Sequence, residues 1–361
     1  MKLSDREWKP CKLSKLGKVE SGKDIYAMER IEGNIPYVTS GSQNNGIGYF
    51  VANENKTLDK GYIAFNRNGA VGLAFYHPYW SVMGNDCRKI HISKADENIY
   101  VGLFVSTAIS MQSKSFSYSR KLGTARANKL QVMLPVDDND EPDYQFMENY
   151  MKELMSVKRK QYQEYVEQRL AELGIDVKNT IDVKKKRRRF SLDLDSRNYK
   201  PFRLSNLFMI DKGVYLPKWK IVSGEYPFIT AKAGNNGISD FIGNEPLFTA
   251  GKITVEKIKL NSYYQPQSFY CSHDVSVLDN GCVNQYCAHF ICLLIMRNGS
   301  KYSYGRQAQM NVVKREVVLL PVDNNNKPDY DFMEECGRKI IARKYIQYLH
   351  YLKSLSEKEG G

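Results

Sequence analysis

Short apolar and aromatic runs broken by glycine and asparagine dominate residues 1–138, a pattern of brief strands and tight turns. In Gly61-Tyr62-Ile63-Ala64-Phe65-Asn66-Arg67-Asn68-Gly69-Ala70-Val71-Gly72-Leu73-Ala74-Phe75, two such runs flank Asn68-Gly69, which predicts a hairpin closed by a type I′ turn. A helix is expected near Ile99 to Met111. After Pro142 the pattern changes period. No glycine or proline intervenes until Gly174, and Met147, Met151, Leu154, Tyr162, Tyr165, Val166, Leu170 and Leu173 recur at intervals of three and four. Asp140-Glu141-Pro142-Asp143 supplies a helix start, with a cap-competent residue before a proline in the first turn. Asn326-Lys327-Pro328-Asp329 repeats it ahead of Met333, Cys336, Ile340, Tyr345, Tyr348, Leu352 and Leu355. At 1.5 Å per residue, helices of ~30 residues reach roughly 45 Å.

The chain is written twice. Trp8-Lys9-Pro10-Cys11-Lys12-Leu13-Ser14-Lys15-Leu16 returns as Tyr199-Lys200-Pro201-Phe202-Arg203-Leu204-Ser205-Asn206-Leu207, and Asn44-Asn45-Gly46-Ile47 returns as Asn235-Asn236-Gly237-Ile238, both 191 residues later. Leu134-Pro135-Val136-Asp137 and Pro142-Asp143-Tyr144-Gln145-Phe146-Met147-Glu148 return 186 residues later, so the second copy is five residues shorter in its middle. Copies that agree at both ends and diverge between them imply one scaffold carrying different surface loops. The expected class is α+β: two pseudo-symmetric, mostly β domains at 1–138 and 199–324, spacer helices at 139–174 and 325–358, and a basic linker at 175–198. One-sided stripes of that length predict an antiparallel, coiled-coil-like helix pair joining the two copies, the alternative being that each helix packs on its own domain; Lys158 and Arg169, on or beside the stripe, suit a loosely polar seam or one contacted by another subunit.

Composition places this frame among ordinary globular proteins, with 42% hydrophobic and 26% charged residues. The opening Met1-Lys2-Leu3-Ser4-Asp5-Arg6-Glu7 lacks the apolar core of a signal peptide, and no apolar run approaches a membrane span, so a cytoplasmic protein is expected. Seven cysteines without a regular framework fit reduced thiols. The net charge of +13 favours a polyanionic partner. Lys184 to Arg189 supplies six of those charges, as a solvated linker or as an arm in which Lys185 and Arg187 grip phosphates.

Catalytic patterns are missing. No two prolines are adjacent, which removes the Pro-Pro-aromatic loop of amino-group DNA methyltransferases, and there is no P-loop. Pro142-Asp143 and Pro328-Asp329 lack the following Glu-x-Lys of metal-dependent nucleases, and the two acids read as helix caps. Cys271, His273, Cys282, Cys287, His289 and Cys292 have no Cys-x-x-Cys spacing and read as packing.

Taken together, the chain resembles a specificity (S) subunit of Type I restriction-modification systems, including the BcgI-like Type IIB branch. The resemblance rests on Glu7-Trp8-Lys9-Pro10-Cys11-Lys12-Leu13, on Thr39-Ser40-Gly41 through Asn44-Asn45-Gly46-Ile47-Gly48, on Ser117-Tyr118-Ser119-Arg120-Lys121 and Tyr302-Ser303-Tyr304-Gly305-Arg306, and on each Leu-Pro-Val-Asp followed by Pro-Asp-Tyr-x-Phe-Met-Glu. It implies a non-catalytic reader of double-stranded DNA, with two target recognition domains reading the halves of a bipartite, asymmetric site. It also implies DNA adenine methyltransferase partners that carry S-adenosylmethionine, a restriction nuclease fused to them or accompanying them, and no cofactor in this chain. Arginine and lysine grip guanine, and asparagine and glutamine grip adenine. The expected DNA-facing residues are therefore Gln43, Asn44, Asn66, Arg67, Tyr118, Arg120 and Lys121 in the first copy, and Lys232, Asn235, Tyr302, Tyr304, Arg306 and Gln307 in the second. Asn44-Asn45-Gly46 and its twin also read as a tight turn needing positive φ, and Tyr118 and Tyr304 as packing. Arg67 has no evident counterpart. The rival reading is a two-lobed adaptor or inhibitor that binds the methyltransferase without supporting modification.

Overall fold

A computed structural model describes residues 1–92, 98–117, 119–175, 194–281 and 283–359. The chain forms two compact units, Met1–Tyr162 and Gln163–Gly361. Among the described residues no helix is long and apolar enough to cross a membrane.

In the first unit β1 (Trp8–Lys12) leads through the short α1 (Leu13–Leu16) to β2 (Val19–Ser21). Strands β3 (Glu32–Val38), β4 (Ile47–Val51), β5 (Tyr62–Asn66), β6 (Ala74–His77), β7 (Val82–Met83) and β8 (Cys87–Ile90) follow. They are succeeded by helices α2 (Ile99–Ser110) and α3 (Thr124–Lys129), strand β9 (Gln131–Pro135) and the long α4 (Tyr144–Glu172), within which the division between the units falls. The sheets have the orders β1-β9, β2-β8-β5-β6 and β4-β3-β7, and only the short β3–β7 pairing is parallel. The expected helix near Ile99 is α2. Asn98 caps it by accepting from the backbone N–H groups of Tyr100 and Val101, and its apolar surface covers the four-stranded sheet, joining Ile63, Phe65 and Ile90 to Val105, Ile109, Leu134 and Met147 in one core.

The second unit repeats this order with β10 (Asn198–Arg203), α5 (Leu204–Leu207), β11 (Met209–Lys212), β12 (Ser223–Ile229), β13 (Ile238–Ile242), β14 (Lys252–Glu256) and β15 (Ser262–Gln265). It continues through β16 (Tyr270–Cys271), β17 (Val275–Asp279), α6 (Gln285–Arg297), α7 (Met310–Val313), β18 (Val317–Val322) and α8 (Tyr330–Glu359). Its sheets, β10-β18, β11-β17-β14-β15 and β13-β12-β16, match the first set strand for strand. Asn284 caps α6 as Asn98 caps α2. Cys287 and Cys292 lie in the core of this unit and Cys271 in a second apolar cluster, where burial pushes the thiols of Cys271 and Cys287 up to about 12. Cys282 lies outside the described residues.

Both long helices start two residues after the proline, at Tyr144 and Tyr330, so that neither proline lies in the first turn. Pro142 and Pro328 bridge to Val136 and Val322 ahead of the helices, while Asp140 and Asn326 take left-handed φ of 65° and 61° in the preceding turns. The caps are Asp143 and Asp329, as the acids were read. Their Oδ1 atoms accept from Phe146 N at 2.8 Å and Phe332 N at 2.9 Å. On the other carboxylate oxygen, Arg6 Nε donates to Asp143 at 2.8 Å and Arg197 Nε to Asp329 at 3.0 Å.

The helical stripe divides along α4. In the first unit Met147 is buried in that unit's core, whereas Leu154, Val157 and Tyr162 are exposed. In the second unit Val166, Leu170 and Leu173 of α4 and the following Ile175 pack with Ala342, Tyr345, Ile346 and Leu349 of α8. Tyr165 Oη lies 3.5 Å from Tyr345 Oη, and Arg169 reaches Tyr286 Oη at 3.4 Å beneath Arg338, so residue numbers rise along one helix as they fall along the other. Arg169 thus takes the polar place in the seam.

Candidate nucleic-acid interface

Three neighbouring loops of the first unit gather that copy's described residues expected to face DNA. The first, Ser40–Gly46, turns through Asn44, Asn45 and Gly46 at φ of 51°, 57° and 75°, the left-handed turn allowed by the sequence. Asn45 Nδ2 fixes it by donating to Tyr76 O at 3.0 Å and Tyr79 Oη at 2.9 Å, while Gln43 and Asn44 stay exposed. The second loop, residues 67–73, replaces the two-residue turn expected at Asn68-Gly69. Backbone N–H groups of Arg67 and Asn68 both donate to Asp86 O, which pulls the chain sideways out of a tight hairpin. Asn66 is buried with its amide donating to Gly41 O at 2.9 Å and Ala70 O at 3.1 Å, so it holds two loops together and has no face toward a ligand. The third loop is a closed turn in which Arg120 N donates to Ser117 O at 3.0 Å, and it joins the second where Leu122 N donates to Arg67 O. Arg120 is exposed, and Lys121, half-buried, accepts a hydrogen bond on its carbonyl from Arg126. Tyr118 lies outside the described residues, as do Lys185 and Arg187.

Positive charge concentrates here. Arg67 Nη1 stands 3.6 Å from Asp86, and Arg88 is anchored by Thr124 and by the carbonyls of Asn85 and Cys87. Burial, and then the nearby Arg67 charge, lower the Arg88 pKa.

The second unit repeats the frame with different chemistry. Asn235, Asn236 and Gly237 take φ of 46°, 53° and 76°, and Asn236 Nδ2 holds the turn on Tyr264 O at 3.0 Å. Asn235 is exposed, and Lys232 Nζ donates to Ile238 O at 3.1 Å. Glu256 stands where Asn66 stands. Its buried carboxylate accepts from the N–H groups of Ile258, Lys259 and Asn261, winding residues 257–261 into a loop two residues shorter than 67–73. The contraction hides a correspondence. Ala308 N donates to Lys257 O as Leu122 N does to Arg67 O, and Lys257 Nζ pairs with Asp274 at 2.6 Å as Arg67 does with Asp86. Arg67 therefore has a counterpart, Lys257, which the sequence spacing conceals.

The turn Ser303–Arg306 reproduces Ser117–Arg120, with Arg306 N donating to Ser303 O at 3.0 Å. Tyr304 at its tip is 81% exposed, which excludes packing, and Arg306 is exposed beside the Tyr302 ring. Gln307 is half-buried and accepts from Gln309 at 3.1 Å. Tyr302 lies in the core beneath the turn. Its hydroxyl donates to the buried Glu316, which also accepts from Lys301 Nζ at 3.1 Å, and burial together with that carboxylate pushes the phenol up to about 12. Tyr302 therefore supports the turn from below. The positions of Tyr302 and Glu316 are held in the first unit by Phe116 and Leu130, which both pack against that unit's apolar core.

The Type I restriction modification DNA specificity domain family matches residues 5–164 and 196–348, once in each copy. The chain is 27% identical over 346 residues to the Type II restriction enzyme BgcI specificity subunit S.BcgI of Heyndrickxia coagulans, covering 92% of this chain and 95% of that protein. Among solved structures, the Type-I restriction-modification system S subunit from M. genitalium aligns over 99% of this chain and 95% of its own at 14% identity and a TM-score of 0.41. The HsdS subunit from Thermoanaerobacter tengcongensis aligns over 97% and 91% at 13% identity and a TM-score of 0.30.

Proposed function

The chain belongs to the Type I restriction modification DNA specificity domain family, and from that premise we propose that its two units read two different half-sites of a bipartite, asymmetric target. It is a DNA-recognition subunit of a restriction-modification system. The observation that carries the proposal is the pairing of one frame with two sets of tips. Strand order, helix caps and the hydrogen bonds that join the loops coincide, while Arg67 in one loop is replaced by Lys257 in the other copy, and the supports beneath the tips change from Asn66 to Glu256 and from Phe116 to Tyr302. A symmetric target would favour the same tips twice. Arginine presents a bidentate fork to guanine where lysine presents a single point charge, so even the conservative pair has a different reading preference.

In this reading α4 and α8 form the spacer that sets the unread gap between half-sites. Chemistry belongs to partners: a DNA adenine methyltransferase holding S-adenosylmethionine, with a restriction nuclease fused to it or accompanying it. An apolar face made twice supports docking of such a partner on both units. In the first unit it is a groove of about 410 Å³ bordered by Leu3, Trp8, Phe104, Met133 and Tyr150. In the second, Leu194, Tyr199 and Leu319 stand exposed at the positions of Leu3, Trp8 and Met133. Side chains keep their apolar character at these places although the loop tips change, as expected if one kind of partner binds both copies.

Co-expression with the neighbouring methyltransferase, followed by single-molecule sequencing of the host genome, tests this. The expected result is a bipartite, asymmetric adenine-methylation motif that disappears without this chain. A palindromic motif overturns the two-reader proposal, and methylation independent of the chain favours the adaptor reading.

A further inference from the structure

Each unit carries a second projection, at the end of β3 or β12 opposite the Asn-Asn-Gly turn. The backbone there makes one 3-10 turn, Ala27–Glu29 or Lys218–Lys220, closed by Glu29 N donating to Tyr26 O and Lys220 N to Pro217 O, both at 2.9 Å. A single asparagine clamps each turn from the neighbouring strand end. Asn53 Oδ1 accepts from Ile31 N at 2.7 Å while its Nδ2 donates to Glu29 O at 2.9 Å. Asn244 Oδ1 accepts from Val222 N and its Nδ2 donates to Lys220 O, both at 3.0 Å. Asn53 and Asn244 are 191 residues apart, so the clamp belongs to the repeated frame.

What the clamp holds out is apolar and large. Met28 is 95% exposed at the first tip and Trp219 80% exposed at the second, beside the exposed pairs Ile31 and Val222, Phe50 and Phe241. A rigid mount for an exposed indole prepays the ordering that binding would otherwise require. The two tips differ in charge. Ala27 and Glu29 flank Met28, and the Glu29 carboxylate is turned back onto Tyr26 N at 3.0 Å. Lys218 and Lys220 flank Trp219, with Lys220 Nζ 5.0 Å from the ring centroid, and among the described residues no carboxylate lies within ion-pairing distance of either lysine. The apolar partner face keeps its character in both copies, whereas this tip changes both side chain and charge on an unchanged mount. That is the behaviour of a position matched to two different DNA segments.

We propose that Lys218-Trp219-Lys220 is a DNA contact of the second unit: the indole packs into the groove against base edges, and the two ammonium groups bracket it on backbone phosphates. This rests on the DNA-reading proposal above and adds a projection distinct from the loops around Lys257 and Arg306.

The test uses the full chain assembled with its methyltransferase and a duplex carrying the methylation motif mapped in the host, titrated from low to physiological salt. Trp219→Ala is expected to weaken binding on the order of ten- to a hundredfold, with Trp219→Phe recovering most of it. Lys218→Ala/Lys220→Ala is expected to lower the slope of log affinity against log salt by about 2. If the wild-type complex binds the duplex and both variants match it in affinity and slope, this inference fails and the DNA-reading proposal stands. Failure of the wild-type complex to bind overturns both. Loss of the methyltransferase from the Trp219→Ala complex on sedimentation also overturns it, because the tip would then be a protein contact.

Discussion

His77 offers a stability test in which the second unit supplies the control. It sits fully buried at the end of β6, its Nδ1 3.3 Å from Tyr79 Oη, its ring packed against Tyr62 and its Nε2 without a hydrogen-bond partner. Burial pushes its pKa from the ordinary 6.5 down to about 4. The unfolded chain therefore binds a proton in the window from 6.5 to about 4 that the folded chain refuses. Stability is fully present above the unfolded value and falls as pH drops through that window, by about 2 kcal/mol between roughly pH 7.5 and pH 5. For a unit of this size that is a fall in Tm of about 4–8 °C. Gln265 occupies the equivalent position, accepting from Asn236 Nδ2 at 3.2 Å and donating to Asn236 O at 3.1 Å. His77→Gln can donate to Asn45 O as Gln265 does to Asn236 O, and cannot titrate. Calorimetric unfolding of the full chain across this range should show the acid-sensitive transition flattened in the variant. An undiminished loss in His77→Gln would refute the reasoning.

Three further outcomes are expected. Glu316→Leu alone should destabilise the second unit by about 1–3 kcal/mol, since it strands the Tyr302 hydroxyl, whereas adding Tyr302→Phe should recover much of the loss by placing apolar side chains at both positions, as in the first unit; chemical denaturation of the wild type and the two variants checks this. Asp143→Ala and Asp329→Ala should each cost about 1–2 kcal/mol through the lost cap, and their effects should add because they lie in separate units, as measured by the double variant. Arg67→Ala and Lys257→Ala should each relax one position of the methylation motif, in opposite half-sites, with discrimination falling by about 1–3 kcal/mol; a motif unchanged by both removes these residues from base reading.

Much of the architecture is legible in the sequence because the repeat exposes its own frame. Asp143 and Asp329 and the glycine of each Asn-Asn-Gly turn announce themselves by type and by offset. The loop chemistry is harder to read. Asn66 and Tyr302 have the composition of DNA contacts, but burial and committed hydrogen bonds make them supports, and burial is a property of the folded neighbourhood that spacing does not carry. The correspondence of Arg67 with Lys257 is hidden because the offset slips from 191 to 190 residues before β5 and β14, and to 188 across the shorter loop that Glu256 winds. Asn53 and Asn244 were visible as a matched pair at the repeat offset, yet a lone asparagine gives no sign of the turn it clamps more than twenty residues upstream.

The distribution of buried polar groups explains how such a scaffold serves recognition. A buried amide or carboxylate is unfavourable unless its hydrogen bonds are met, and once met it fixes the backbone around it more sharply than apolar packing does. Buried Asn66, Glu256 and Glu316, and half-buried Asn45 and Asn236, are all used in this way, each satisfied by loop backbone or by a neighbouring side chain beneath an exposed tip. Strongly perturbed ionisable groups such as Tyr62, His77, Cys87, Cys271 and Cys292 lie within the cores, where burial is the first cause of each shift. Polar order is thus invested in holding loops still while the tips vary, and base discrimination demands this of a reader, because a hydrogen bond to the wrong base edge is rejected only by a donor that cannot move to meet it.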